Sequence, residues 1–324
     1  MTISGARPDV IVLGAGVIGL SLGVCLAEQG FRVQLRTRSA PSATTSAVAS
    51  AMIGPSVAPA EDPSGIRERA GIEEFTALAA VEGSGVALRR GRLASRQAGP
   101  PLPGLEPCTP AELPAGFAAG SWARLPLVDM PIYLDYLARR LTAAGGNIEQ
   151  AEVGSLTELA DQAPLIANCA GLGARELVPD RSVRPVRGQQ VIVDNPGLEE
   201  FFVSAPFEPA WTAYWPYTDH VVLGSTTAED DERLEPVPAL AEEILRRCVE
   251  VEPRLGDAQV RGHQVGLRPA RPTVRLEVDH IAGARCVHNY GHGGSGVTLS
   301  WGCAREAAAL LTDQDRDGSP PHPR

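Results

Sequence analysis

The stretch DVIVLGAGVIGLSLGVCLAEQGFRVQL, residues 9–35, decides the fold class. Asp9 to Leu13 is a short β-branched run, and Val17 to Gln29 carries apolar residues at helical spacing. Gly30 is a good helix terminator, and Phe31 to Leu35 resumes a strand pattern. Strand, helix and strand in such quick succession make a βαβ unit, so the chain is predicted to be α/β. Between the first strand and the helix lie Gly14, Ala15, Gly16, Val17, Ile18 and Gly19. In this pattern the first glycine permits a tight turn and the second lets backbone approach a pyrophosphate at the helix N-terminus. The third lets helix and strand pack closely. A dinucleotide site is expected there.

The end of the second strand departs from the usual pattern. Arg36, Thr37 and Arg38 stand where NAD and FAD proteins commonly place an acid for the ribose. An arginine also suits an NADP 2′-phosphate, which leaves that cofactor open. The following TTSAVASAMIGP, residues 44–55, suits a backbone packed against a large planar cofactor. Thr44, Thr45 and Ser46 read equally as a helix cap.

Composition narrows the chemistry. The 324 residues correspond to roughly two domains at about 150 residues each. All 29 basic residues are arginine. Without lysine there is no Schiff base to pyridoxal phosphate, no P-loop lysine and no kinase-type lysine. A net charge of −10 gives no basic field for nucleic acid or an anionic membrane, so a small-molecule partner is expected. The six cysteines lie far apart with no C-x-x-C and read as reduced thiols. Neither a secretory leader pattern nor an 18-residue apolar run is present, and the expected location is cytoplasmic. The last twelve residues, polar and Pro-rich, are expected to fray. Oligomeric state is not legible, with a homodimer as one option.

Further along, Tyr133 to Ala144 reads as an amphipathic helix, Leu165 to Ala170 as a buried strand, and Leu240 to Val251 as another helix. From Gln189 the pattern turns to β segments, at Gln189 to Asp194, near Tyr214 and at His220 to Ser225, which suit a large sheet over a pocket. Residues 55–124 show only broken patterns and are expected to belong to a different domain.

Two more stretches carry chemistry. In GLRPARP, residues 266–272, prolines stiffen the backbone around Arg268 and Arg271, which suits a planar fork presented to a carboxylate; surface ion pairing is the plainer alternative. In HNYGHGGSGVT, residues 288–298, four glycines bare the backbone beside a following helix. The glycine loop between His288 and His292 argues against a metal pair.

Taken together these motifs resemble the D-amino-acid oxidase family, flavoproteins of the glutathione-reductase-like FAD fold. VIVLGAGVIGLS, TTSAVA, VDMPIYLDYL, NCAGLGAREL, PVRGQQ, GLRPARP and HNYGHGGSGVTLSWGCA follow the family's order and spacing across nearly the whole chain. The resemblance implies a Rossmann-like FAD-binding domain from residues 1–55, 130–185 and 265–324, and a largely antiparallel substrate domain from 56–129 and 186–264. It implies non-covalent FAD, its pyrophosphate at Gly14 to Gly19, with Arg36, Thr37 and Arg38 near the ribose and Val153 near the adenine. Thr44, Thr45, Ser46, Ala51 and Met52 would line the cofactor. Gly293, Gly294, Ser295, Gly296, Val297 and Thr298 would meet the isoalloxazine, with Arg268 alongside.

By the same resemblance, Arg268 grips the carboxylate of a D-amino acid and the Gly294 carbonyl accepts from its amine. Hydride passes from Cα to flavin N5, the imino acid hydrolyses to a 2-oxo acid and ammonia, and oxygen is reduced to hydrogen peroxide. Orientation alone then selects handedness. Two departures stand out. Ala213 occupies the place of a carboxylate-holding tyrosine, and the ribose acid is absent. Tyr214, next in sequence, is carried as a catalytic candidate, although strand alternation turns it to the opposite face unless a bulge intervenes. The alternatives are oxidation of D-aspartate, glycine or sarcosine, an NADP-dependent dehydrogenase, and a flavin-binding protein without turnover. The related sarcosine oxidases rely on a lysine that this chain lacks.

Overall fold

The computed structural model describes residues 7–56, 58–59, 61–204 and 211–313. The expected fraying of the C-terminus lies, from residue 314 onward, outside the described residues. Strand β1 (Val10–Leu13), helix α1 (Val17–Glu28) and strand β2 (Val33–Thr37) form the opening unit as expected. Two 3-10 turns, Pro41–Ala43 and Thr45–Val48, lead to β3 (Ala51–Met52). Helix α2 (Pro63–Leu78), β4 (Val86–Ser95), β5 (Glu106–Pro107) and β6 (Ala119–Val128) follow. Next come α3 (Met130–Ala143), β7 (Asn147–Gln150), α4 (Thr157–Ala160), β8 (Leu165–Asn168) and α5 (Ala174–Leu177). The chain then runs through β9 (Arg184–Asp194), β10 (Phe201–Ser204), β11 (Ala213–Pro216), β12 (His220–Gly224), β13 (Ala228–Glu229) and α6 (Pro238–Val251). It closes with β14 (Val260–Ile281), β15 (Ala284–His292) and α7 (Gly296–Thr312).

One continuous sheet has two characters. Toward one end β15, β8, β1, β2 and β7 run parallel to one another, the central β1 and β8 buried and the edge strand β7 largely exposed. Helices α1, α3 and α7 contribute to the core on one face of these strands, and Leu156 and Leu159 around α4 to the core on the other. Toward the other end β9, β12, β11 and β10 pair antiparallel, and β4 pairs antiparallel with β6. The long β14 joins the two, pairing with β9 through Val260–Ala270 and with β15 through Ala270–Ile281. Its register shifts between Ala270 and Arg275, inside the proline-flanked stretch.

Strand alternation divides the antiparallel end into two faces. Val191, Val193, Phe202, Tyr214, Val221 and Leu223 pack under α6 through Ile244 and Cys248. Ala213, Trp215, Val222, Phe201 and Val203 face the other way, where Met52 joins them. This second face meets the parallel end and forms one wall of the candidate site.

Residues 55–124, broken in pattern, hold the sixteen-residue α2, the ten-residue β4, the short β5 and the first part of β6, which runs on to Val128. Helix α2 lacks a clear apolar stripe because it docks through glycine rather than bulk. A Cβ on Gly71 would stand 1.8 Å from the Thr298 carbonyl oxygen, and one on Gly302 of α7 2.5 Å from the Arg67 backbone. It therefore packs on α7, with Phe75 and Leu78 in the core of the parallel end.

Candidate active site

The glycine turn is built by backbone constraints. Gly14 takes φ +106°, and a Cβ there would meet the Cys169 carbonyl oxygen at 2.5 Å. A Cβ on Gly19 would lie 1.9 Å from the Gly14 carbonyl oxygen, so α1 approaches β1 only with glycine at that position. Gly16 differs: a side chain there would meet only the Ser46 hydroxyl, at 3.1 Å, and its main effect would be to cover the α1 amides. Gly16 is the N-cap of α1 and lends it no side-chain hydrogen bond. Amides at the positive end of a helix dipole form an anion-binding seat, which fits a pyrophosphate, although that of Val17 is held by Ser46 Oγ. Ala15 and Val17 are buried beneath this seat, while Ile18 is half-buried.

The segment after β2 fastens the seat. Ser46 Oγ accepts from the Val17 amide at 3.0 Å, so the hydroxyl run does cap a helix, but one distant in sequence. Thr44 Oγ1 donates to the Pro41 carbonyl at 2.7 Å. Val48 and Thr45 lie against Gly266 of β14, where a Cβ would meet Val48 Cγ2 at 2.8 Å. Ala51 is buried in the core of the parallel end, and Met52 faces the antiparallel strands.

At the ribose end, Arg36 is already engaged. Its Nη2 donates to Gln162 Oε1 at 2.6 Å, and Nε lies 3.4 Å from Glu149 Oε2. Thr37 is buried and donates to the Ser39 carbonyl at 2.6 Å, and Arg38 is exposed. An arginine tied to a carboxylate is a poor phosphate receptor, which weakens the case for NADP. Val153 packs half-buried on the core that contains Ile11, Leu13 and Leu156.

The structure separates the two arginines that the proline-flanked stretch left equivalent. Arg271 Nε pairs with Asp180 Oδ2 at 3.0 Å, and Tyr290 donates its hydroxyl to the same oxygen at 2.9 Å. Burial alone would raise the Asp180 carboxyl, but hydrogen bonds from Ser182 and Tyr290 and the charge of Arg271 hold it well below the usual carboxylate range. Arg268 has no such partner. It is largely buried, Nη2 donates to Ser225 Oγ at 3.0 Å and Nη1 to the Thr226 carbonyl at 3.3 Å. Among the described residues no carboxylate lies within ion-pair distance of it. Burial pulls its pKa down, yet a guanidinium stays charged. A desolvated cation without a counter-ion is costly unless an anion arrives.

Arg268 stands over Gly188 of β9, where a Cβ would be 2.4 Å from Nη2. Its Cδ lies 3.7 Å from the Cβ position of Gly294, in the 3-10 turn Gly293–Ser295 that opens α7. Gly293 has φ +55° and Ser295 caps α7 without a side-chain bond. Gly294 and Ser295 are exposed, Gly296 and Thr298 half-buried, and Val297 buried. His292, just ahead, has its pKa pushed down to about 3 by burial and by Arg67, so it is neutral at ordinary pH. His288 is fully buried, 3.2 Å from Asn168 Nδ2 and 3.4 Å from Asp279, a structural position in the sheet. Ser46 thus ties the Gly14–Gly19 turn to the segment that faces Gly266, and Arg268, two residues further along β14, lies beside Gly294.

Tyr214 requires a correction. It belongs to the α6-covered face, its ring stacked on Phe202 at 5.9 Å, because β11 pairs without a bulge and alternation holds. Ala213 and Trp215 take the Arg268 side instead. Several site residues carried no motif of their own: Ser225 and Thr226, which hold Arg268, and Ser50, which bonds Gln190. Polar residues just outside a strand look alike in sequence whatever they reach.

Fold and site together define a dinucleotide-binding fold with a largely buried arginine that has no carboxylate partner among the described residues. Residues 9–310 match the family described as FAD dependent oxidoreductase, and the chain belongs to that family. The resemblance read from the motifs is borne out, as are the α/β fold and FAD as the family's cofactor. The chain is 46% identical over 308 residues to the D-amino-acid oxidase of Rubrobacter xylanophilus, covering 93% of this chain and 94% of that one. It is 47% identical over 315 residues to the D-amino-acid oxidase of Streptomyces coelicolor, covering 94% and 97%. Among solved structures, glycine oxidase from Geobacillus kaustophilus superposes with a TM-score of 0.79 at 19% identity, covering 94% of both chains. No helix among the described residues is long and apolar enough to cross a membrane.

Proposed function

We propose that this protein is an FAD-dependent oxidase of D-amino acids. The observation that carries this reading is Arg268, a largely buried guanidinium with no counter-ion among the described residues, next to Gly294 at the start of α7. The names of two relatives at 46% and 47% identity support it. The overall reaction converts a D-amino acid, oxygen and water to a 2-oxo acid, ammonia and hydrogen peroxide. Bound FAD supplies the acceptor for the two electrons that leave Cα.

The chain's own residues do the positioning. Arg268 presents two parallel N–H donors to the substrate carboxylate, held in plane by Ser225 and Thr226. The Gly294 carbonyl accepts from the α-amine. Two fixed points leave one face of Cα available, and orientation of this kind contributes several kcal/mol. No step calls for an acid or base side chain.

FAD would be held non-covalently, its pyrophosphate on Gly14, Ala15, Gly16, Val17, Ile18 and Gly19. Arg36, Thr37, Arg38 and Val153 would lie toward its adenosine. Thr44, Thr45, Ser46, Ala51, Met52, Arg268 and Gly293 through Thr298 would lie along its length and the flavin. The FAD part comprises residues 1–55, 130–185 and 265–324, with α2 packed on it, and the substrate part the remainder of 56–264. Six unpaired cysteines favour a reducing, cytoplasmic setting.

The test is a peroxide assay on the purified yellow protein. D-Alanine, D-valine and D-methionine should turn over and their L-forms should not, with D-aspartate, glycine and sarcosine in the same panel. A colourless protein that binds NADPH would overturn the reading.

A further inference from the structure

The guanidinium of Arg268 is held at a break in strand pairing. Gly224 of β12 stands opposite Gln190 of β9, and Ala228 of β13 stands opposite Arg187, so four steps on one side answer to three on the other. The mismatch is a bulge at Ser225, Thr226 and Thr227, the kind of interruption that re-aims groups out of a ladder. Across it the Gln189 N–H donates to Thr226 Oγ1 at 3.0 Å, while the Thr226 carbonyl and the Ser225 hydroxyl accept from Arg268.

The other face of β9 straps down the chain that follows the bulge. Arg187 and Gln189 share the parity of Val191 and Val193, which pack under α6, and are 1% and 0% exposed. Arg187 Nε donates to the Arg233 carbonyl at 2.8 Å, and Nη2 donates to the Glu235 carbonyl at 2.7 Å and to Gln189 Oε1 at 3.0 Å. Gln189 Oε1 also accepts from the N–H of Val237, the N-cap of α6, at 2.8 Å, and Nε2 donates to the Val237 carbonyl at 2.9 Å. The connection from Ser225 to Val237 is therefore tied to β9 at both ends, by the Gln189 backbone at Thr226 and by two buried side chains at residues 233–237.

We propose that Arg187 and Gln189 are positioning residues for carboxylate recognition: by fixing this connection they set the hydroxyl and carbonyl that aim the Arg268 fork. The proposal rests on the oxidase reading, in which that fork takes the substrate carboxylate. A fork whose acceptors move loses the parallel alignment that a bidentate pair requires.

D-Alanine and D-alaninamide differ only in the group that Arg268 would hold, so their kcat/KM ratio in the holoenzyme reads the aim of the fork. Wild type should favour D-alanine by about tenfold or more. Gln189→Leu and Arg187→Met should each cut that ratio by about tenfold, mostly through a higher KM for D-alanine, with the flavin spectrum retained. Thr226→Val removes only the hydroxyl that meets the Gln189 N–H, so it tests the link even where the two buried variants fail to fold. Its ratio should fall likewise, and Thr226→Ser should recover most of the loss. A merely structural role lowers both substrates alike. Equal loss on D-alanine and D-alaninamide, or an unchanged ratio, therefore overturns the proposal. No turnover of any D-amino acid by wild type overturns the oxidase reading and this inference with it, and a wild-type ratio near one does the same for Arg268 as carboxylate receptor. Turnover with a wild-type preference that the variants keep overturns this inference alone.

Discussion

The two ends of the site are built from different materials. At the parallel end the candidate binding groups are backbone: glycines that clear a path and amides at a helix start. At the antiparallel end they are side chains, with Arg268 of β14 held by Ser225 just past the end of β12. Backbone sites are specified by neighbours in sequence, because the turn and the helix it opens are one segment. Side-chain sites are specified by strand register and parity, which no single segment contains. The first kind tolerates no added bulk, and the second tolerates change wherever a residue turns away.

The largest expected effect is Gly19→Val. A Cβ 1.9 Å from the Gly14 carbonyl forces α1 off β1, at a cost above about 4 kcal/mol. Soluble yellow protein with a wild-type melting curve would show that the parallel end is less rigid than argued. Arg268→Leu comes next. It should lower kcat/KM for D-alanine by about a thousandfold with the flavin spectrum retained, since the apolar residue leaves the carboxylate unpaired. Turnover within tenfold of wild type would remove Arg268 from the substrate end.

Asp180→Asn should destabilise the protein by about 1–3 kcal/mol at neutral pH by unpairing Arg271 and weakening the Tyr290 contact. The sign with pH follows from the lowered carboxyl. Its stabilisation is fully present above the unfolded aspartate value near ~3.9 and is lost as pH falls through the folded value. Urea melts of wild type and variant should therefore draw together below about pH 4; a constant gap would show that the charge is not responsible. The smallest effect is expected for Tyr214→Phe, which should leave kcat/KM within about twofold because the ring packs under α6. A loss beyond tenfold would mean that the two faces of the sheet are coupled.

Helix α2 and the proline-flanked arginines show where legibility ended. Apolar periodicity finds helices that bury bulk, and α2 buries Gly71 and Phe75 on an otherwise polar sequence. Arg268 and Arg271 sit in the same proline-flanked stretch, and what separates them is Asp180, remote in sequence and adjacent in space. Ser46 was legible as a cap, but its helix is α1, which precedes it.

The amino-acid sequence by itself determined the βαβ opening, the glycine seat, the FAD family and the exclusion of lysine chemistry, because each depends on residue type or on neighbours along the chain. Only the tertiary structure decided which arginine lacks a counter-ion among the described residues, and that Tyr214 packs under α6 while Ala213 and Trp215 take the other face of the sheet. Those follow from register, and register is a relation between strands that meet only when the sheet has formed.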